Sequence, residues 1–110
     1  MKKTGFVGSL EYKKHQTGLG HPESTRRIDA VLNAIEAAKL DLQKIEPRMA
    51  TKEELQFCHM PDYIAIAERD VASGTRQLST GDTTISKDSY RTALLASGGI
   101  LAAVDAVVGG

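Results

Sequence analysis

From Ala93 to Val108 the chain is apolar with few interruptions: Ser97, the pair Gly98-Gly99 and Asp105. Leu94, Leu95, Ile100, Leu101, Val104, Val107 and Val108, with Tyr90 one turn earlier, do not form a single stripe. Read as a helix, they occupy most of its circumference. A helix apolar nearly all round must be buried on most sides. Its two glycines, its serine and its aspartate fit a buried helix better than a membrane span. This one feature constrains every fold that the chain can adopt, because something must cover it.

The rest of the chain has little to cover it with. At 110 residues there is material for one small domain over residues 1–110, and a chain this size buries roughly two-thirds of its unfolded surface. Lys plus Arg equals Asp plus Glu at 14 each, so no global positive field draws it to nucleic acid or to an anionic membrane. Neither partner is expected. Cys58 is the single cysteine, which rules out an internal disulfide, fits a reducing, cytoplasmic setting and reads as a small buried apolar residue. The opening Met1-Lys2-Lys3 is basic, but the apolar run behind it is too short for a secretory signal.

Residues 5–10 read as a short buried strand and 12–20, with Lys, His, Thr and Gly, as a loop. His21-Pro22-Glu23-Ser24 predicts a helix entry, and Ile28, Val31, Leu32 and Ile35 give the helix from about Glu23 to Lys39 one apolar stripe. Lys44 to Pro47 reads as a connector or second strand. Strands at 5–10 and about 43–47 flanking the first helix predict a βαβ unit with a parallel pair. Thr51 and Glu54 have capping-box spacing. Pro61 then restarts a helix whose stop is Gly74. The Gly/Ser/Thr-rich stretch 74–85 predicts an exposed loop, and Ser86 caps the last helix.

The chemistry-bearing residues are sparse. A catalytic zinc site needs three His, Asp, Glu or Cys ligands converging at about 2.0–2.3 Å. His15, His21 and His59 form no H-x-x-x-H pair, no C-x-x-C pair occurs, and neighbours such as Cys58 and His59 diverge by roughly 100° on a helix. No metal and no cofactor is expected from these residues. Gly18-Leu19-Gly20-His21-Pro22 has half the glycines of a phosphate loop and lacks its Lys, so it reads as a tight turn. Arg26 and Arg27 oppose the positive end of the helix that they open, which predicts a carboxylate or anionic partner for one of them. Asp82 reads as a turn residue.

Three blocks in one register change this picture. H-x-T-G-x-G-H-P-E-S-x-x-R spans His15–Arg27, T-x-E-E-L-x-x-x-H-x-P-D-Y-I spans Thr51–Ile64, and G-D-T-x-I-S-x-x-S-Y-x-x-A-L-L-A-x-G-G spans Gly81–Gly99. Together they resemble the histone deacetylase family, most closely its bacterial class II-like branch of acetylpolyamine amidohydrolases and acetoin-utilisation proteins. The one departure is Thr25, where that branch commonly has Pro. The resemblance implies an α/β chain: a helix-rich fragment of the arginase/deacetylase fold, with a short parallel β pair and three to four helices, equivalent to the family's first third. It also implies roles for individual residues. Arg27 matches the arginine at the inner end of the acyl pocket. Asp82 matches an acid on the pocket rim that contacts the substrate backbone. His21, Pro22 and Glu23 match the motif that positions the first loop and helix. The family's zinc ligands and its transition-state tyrosine match nothing here, so the resemblance implies a deacetylase-like module inactive by itself. Three expectations follow: a self-associating or partner-binding module, a truncated piece of a zinc-dependent acetyl-amide hydrolase, or one half of a split enzyme. They differ in what covers the helix at 93–108: a second copy or a protein partner in the first, nothing in the second, and a chain carrying the zinc ligands in the third.

Overall fold

The computed structural model describes residues 3–81 and 83–109. It is α/β and helix-rich. Strands β1 (Thr4–Phe6) and β2 (Leu42–Lys44) pair in parallel, with Gly5 opposite Gln43, and helix α1 (Arg26–Ala37) lies between them in sequence. The βαβ unit is present with shorter strands than the apolar runs predict. The chain leaves the ladder after Phe6, where Gly8 packs against the Phe6 ring; a Cβ at Gly8 would lie 2.7 Å from it. Leu10–Lys14 then coil into a 3-10 helix that takes in the end of the expected strand and the start of the expected loop, capped by Ser9 Oγ, which accepts the Glu11 amide at 3.1 Å.

Helix α1 starts at Arg26, not at Glu23, because Ser24 holds the turn before it. Its hydroxyl accepts the Arg26 amide at 3.2 Å and its carbonyl accepts the Arg27 amide at 3.1 Å. It ends before Lys39, which takes a left-handed φ of 51° as the chain turns toward β2. The one-turn helix α2 (Lys52–Leu55) carries the complete Thr51–Glu54 capping box. Helix α3 (Pro61–Ala72) has its proline in the first turn, and Gly74, at φ 80°, ends it. Helix α4 (Ser89–Val108) begins one turn later than Ser86 predicts. Ser86 instead donates its amide to Ser89 Oγ at 2.7 Å, and its own hydroxyl lies 3.2 Å from the same oxygen.

Two buried assignments change. The 74–85 segment is not a free loop: Gln77 bridges Thr84, the Leu78 amide donates to the Thr83 carbonyl at 2.9 Å, and Leu78 and Ile85 join the core. Cys58, read from the sequence as buried, is exposed, because α2 closes after one turn and the chain from Phe57 to Met60 passes over the surface.

Ala50, Ile64, Leu78, Ile85 and Leu95 make up the buried apolar core. Gly98 and Gly99 bring α4 into it. A Cβ at Gly98 would fall 1.5 Å from the Arg48 carbonyl oxygen, and one at Gly99 would fall 2.6 Å from the Tyr12 hydroxyl. The Ala50 amide completes this contact by donating to the Leu94 carbonyl at 2.9 Å.

The remainder of α4 is uncovered. Ile100, Val104, Val107 and Val108 are 69%, 52%, 81% and 81% exposed. By length and composition alone α4 could cross a membrane. The molecule is a slab 48 × 34 × 16 Å, and its accessible surface is 8026 Å². A self-contained monomer of this mass exposes about 5,900 Å², so roughly 2,000 Å² is in excess of that expectation.

Candidate functional site

A cavity of about 570 Å³ lies between α3 and α4. Ile64, Ala67 and Val71 of α3 face Ala93 and Ala96 of α4 across it. Tyr12, His15, Glu23 and Ser89 gather at its polar end, with His59 and Tyr63 also on its wall, their rings 5.4 Å apart.

Each polar group is held by its neighbours. His15 Nδ1 lies 2.6 Å from Ser89 Oγ. That oxygen also accepts the Ser86 amide, while Ser86 Oγ accepts the Gln16 amide at 3.0 Å. A serine beside an imidazole is the arrangement of an activated nucleophile. Here the hydroxyl is buried and already engaged by a backbone amide, and no carboxylate accepts a hydrogen bond from His15 among the described residues. The cluster therefore ties the end of the 3-10 helix to the start of α4.

The first loop is tied in the same way. His21 Nδ1 accepts the Glu23 amide at 3.0 Å, and the Thr17 hydroxyl donates to the Glu23 carbonyl. Pro22, between them, is exposed. Glu23 then receives the Arg27 guanidinium at 2.9 Å, one helical turn on. The partner predicted for the arginine pair is thus local, and it belongs to Arg27. Arg27 also lines a smaller cavity of about 180 Å³ beside Tyr12, His15 and Ile28. Asp82 lies outside the described residues.

Asp70 is a residue that the sequence reading missed. Its carboxylate is buried at the end of α3 and accepts both the amide and the hydroxyl of Ser79, each at 2.8 Å. Its carbonyl accepts the Ser73 and Thr75 hydroxyls. The Ser79 donors hold the Asp70 carboxyl below the usual carboxylate range. An acid at a helix end ahead of a Ser/Thr-rich segment is the only sequence signal for this anchor. On α4, burial first, then the nearby Glu68 carboxylate, pushes the Tyr90 pKa up.

These residues do not fit a zinc ion. Among the described residues no three His, Cys, Asp or Glu side chains are grouped to hold a metal. His15 and His59 share the cavity wall, but His15 Nδ1 is committed to Ser89.

The histone deacetylase domain matches residues 21–110. A protein described as a probable deacetylase from Archaeoglobus fulgidus is 30% identical over 109 residues, covering 96% of this chain and 30% of the relative. Another so described, from Methanothermobacter thermautotrophicus, is 33% identical over 100 residues, covering 91% and 30%. The chain thus spans about 30% of the length of these curated relatives.

Proposed function

The chain belongs to the histone deacetylase domain family, and on that premise we propose that it is a cytoplasmic deacetylase-like module that does not hydrolyse acyl amides by itself and works against a protein, or a second copy, seated on α4 over residues 93–108. The observation that carries this reading is the uncovered helix: four branched side chains more than half exposed on a chain with roughly 2,000 Å² of excess surface. The module contributes a wall of the acyl pocket, with Arg27 at its inner end and Asp82 at its rim. His21, Pro22 and Glu23 hold the first loop, and the Glu23–Arg27 pair at 2.9 Å fits that role.

The 30% coverage of the relatives favours a second reading, in which the module is a truncated piece of a zinc-dependent acetyl-amide hydrolase, or one half of a split one, whose metal ligands lie outside these residues. One experiment separates the two. The purified chain, supplied with zinc, is assayed on an acetyl-lysine peptide alone and together with the unmatched portion of the Archaeoglobus relative. No turnover in either condition is the outcome expected of a stand-alone module. Turnover only in the mixture moves the weight to the split or truncated hydrolase. Enzyme-like turnover by the chain alone overturns the proposal.

A further inference from the structure

We propose that Ser89 is a positioning residue for His15: its hydroxyl donates to Nδ1, fixes the neutral imidazole as the Nε2–H tautomer, and so makes His15 a hydrogen-bond donor, not a base, on the wall of the cavity between α3 and α4. Every member of this tie belongs to the chain itself. It depends neither on what covers α4 nor on turnover by the chain.

The protons at this junction can be counted. Two donors are fixed, because a backbone amide can only donate. The Ser86 amide donates to Ser89 Oγ at 2.7 Å, and the Gln16 amide donates to Ser86 Oγ at 3.0 Å. Each hydroxyl brings one proton of its own. That of Ser86 has the Lys14 carbonyl at 3.3 Å and Ser89 Oγ at 3.2 Å, and neither involves the ring. That of Ser89 has two acceptors, His15 Nδ1 at 2.6 Å and Ser86 Oγ at 3.2 Å. This last choice sets the ring. If Ser89 donates to Ser86, the short contact needs a proton on Nδ1, and Nε2 is bare. If Ser89 donates to Nδ1, the ring proton sits on Nε2.

Distance decides between them. Hydroxyl donors sit about 2.5–3.0 Å from their acceptors, and N–H donors about 2.7–3.2 Å from oxygen. The 2.6 Å contact lies inside the first range and short of the second, so the hydroxyl is its donor. The alternative acceptor at 3.2 Å is beyond the hydroxyl range. Ser89 is buried, and the Ser86 amide occupies one side of its oxygen, so the hydroxyl is held where the ring meets it. A ring fixed in this way keeps Nε2–H as its remaining polar group, suited to an acceptor oxygen and unable to take a proton there.

The test is a long-range proton–nitrogen NMR correlation of the nitrogen-15-labelled chain at about pH 8.5, where imidazoles are neutral; it reads the tautomer of each ring. His21 serves as an internal standard, because its Nδ1 accepts the Glu23 amide at 3.0 Å and its proton must therefore sit on Nε2. His15 should give the same pattern, with Nδ1 bare and Nε2 protonated. Ser89→Ala should lower the His15 preference for Nε2–H by up to about tenfold, the bias that one hydrogen bond of ordinary net strength exerts, and leave His21 unmoved. Ser89→Thr should restore the preference. Ser86→Ala should leave it in place, because the amide of residue 86, not its hydroxyl, holds Ser89. A His15 ring protonated on Nδ1 in the parent chain overturns the proposal, and so does a tautomer that Ser86→Ala reverses. An unchanged preference in a folded Ser89→Ala reduces Ser89 to packing and overturns it as well. If Ser89→Ala also shifts His21, the first loop has come apart, and the parent and Ser86→Ala spectra decide.

Discussion

Glu54 answers two residues at once. Its two oxygens receive the Arg48 guanidinium at 2.8 and 2.7 Å, and Oε1 also accepts the Thr51 amide at 2.9 Å. The Arg48 bonds, then the Thr51 amide, pull its pKa from 4.5 to about 2. A carboxyl lowered by folding stabilises the fold fully above its unfolded value and loses that contribution as pH falls through its folded one. The window is therefore from 4.5 down to about 2. The urea midpoint of the parent chain should fall across it, and Glu54→Gln should lower the midpoint at pH 7 while flattening that acid limb. An unchanged acid limb in the variant would show that Glu54 does not carry this dependence. Half of this site was legible beforehand. The Thr51–Glu54 spacing announces a capping box, because the rule is local. Arg48 could not be paired with Glu54 by spacing, since a non-helical turn brings it there and no periodicity governs such a turn. The sequence predicts a carboxylate or anionic partner elsewhere for Arg26 or Arg27; the pair that forms is local, Arg27 with Glu23 four residues before it.

At the level of elements, the glycine pair of α4 decides how the layers meet. Glycine inside a helix costs about 0.5–1 kcal/mol relative to alanine, so Gly98→Ala on an isolated helix would stabilise it. In this fold a Cβ there meets the Arg48 carbonyl at 1.5 Å, a backbone atom that cannot rotate away. Overpacking of that kind costs about 3 kcal/mol or more. Gly98→Ala should lower the melting temperature by at least about 10 °C. A neutral or raised melting point would mean that α4 does not pack on the 48–50 segment. The existence of α1, α3 and α4 was readable from apolar spacing, from Pro61 and from Gly74, and so was the parallel pair. Their edges were less so. Ser24, not Glu23, sets the entry to α1, and the 3-10 helix at Leu10–Lys14 has no apolar period to announce it. Leu78 and Ile85 were hidden in a polar segment because their burial depends on the Gln77–Thr84 bridge and on Asp70, both tertiary facts.

At the scale of the whole molecule, the sequence makes a demand and the structure measures how far it is met. A helix apolar nearly all round requires cover, and that requirement is legible in the residues 93–108 alone. Which sides go without it is not, because that depends on how the 3-10 and α-helical segments distribute over a slab 16 Å thick. One side of α4 rests on Tyr12, Val7 and the 48–50 segment; the other retains the exposed valines. If association supplies the missing cover, folding and assembly become one equilibrium, and the melting temperature must depend on chain concentration. For two chains of this length melting together, a tenfold rise in concentration should raise the midpoint by about 3 °C. Val107→Asp should abolish the slope and melt lower at every concentration, since the folded monomer keeps its excess surface in water. A flat profile for the parent chain would mean that the five buried apolar side chains of its core suffice without a partner. Such a core would then be stable at an exposed area well beyond what its mass predicts.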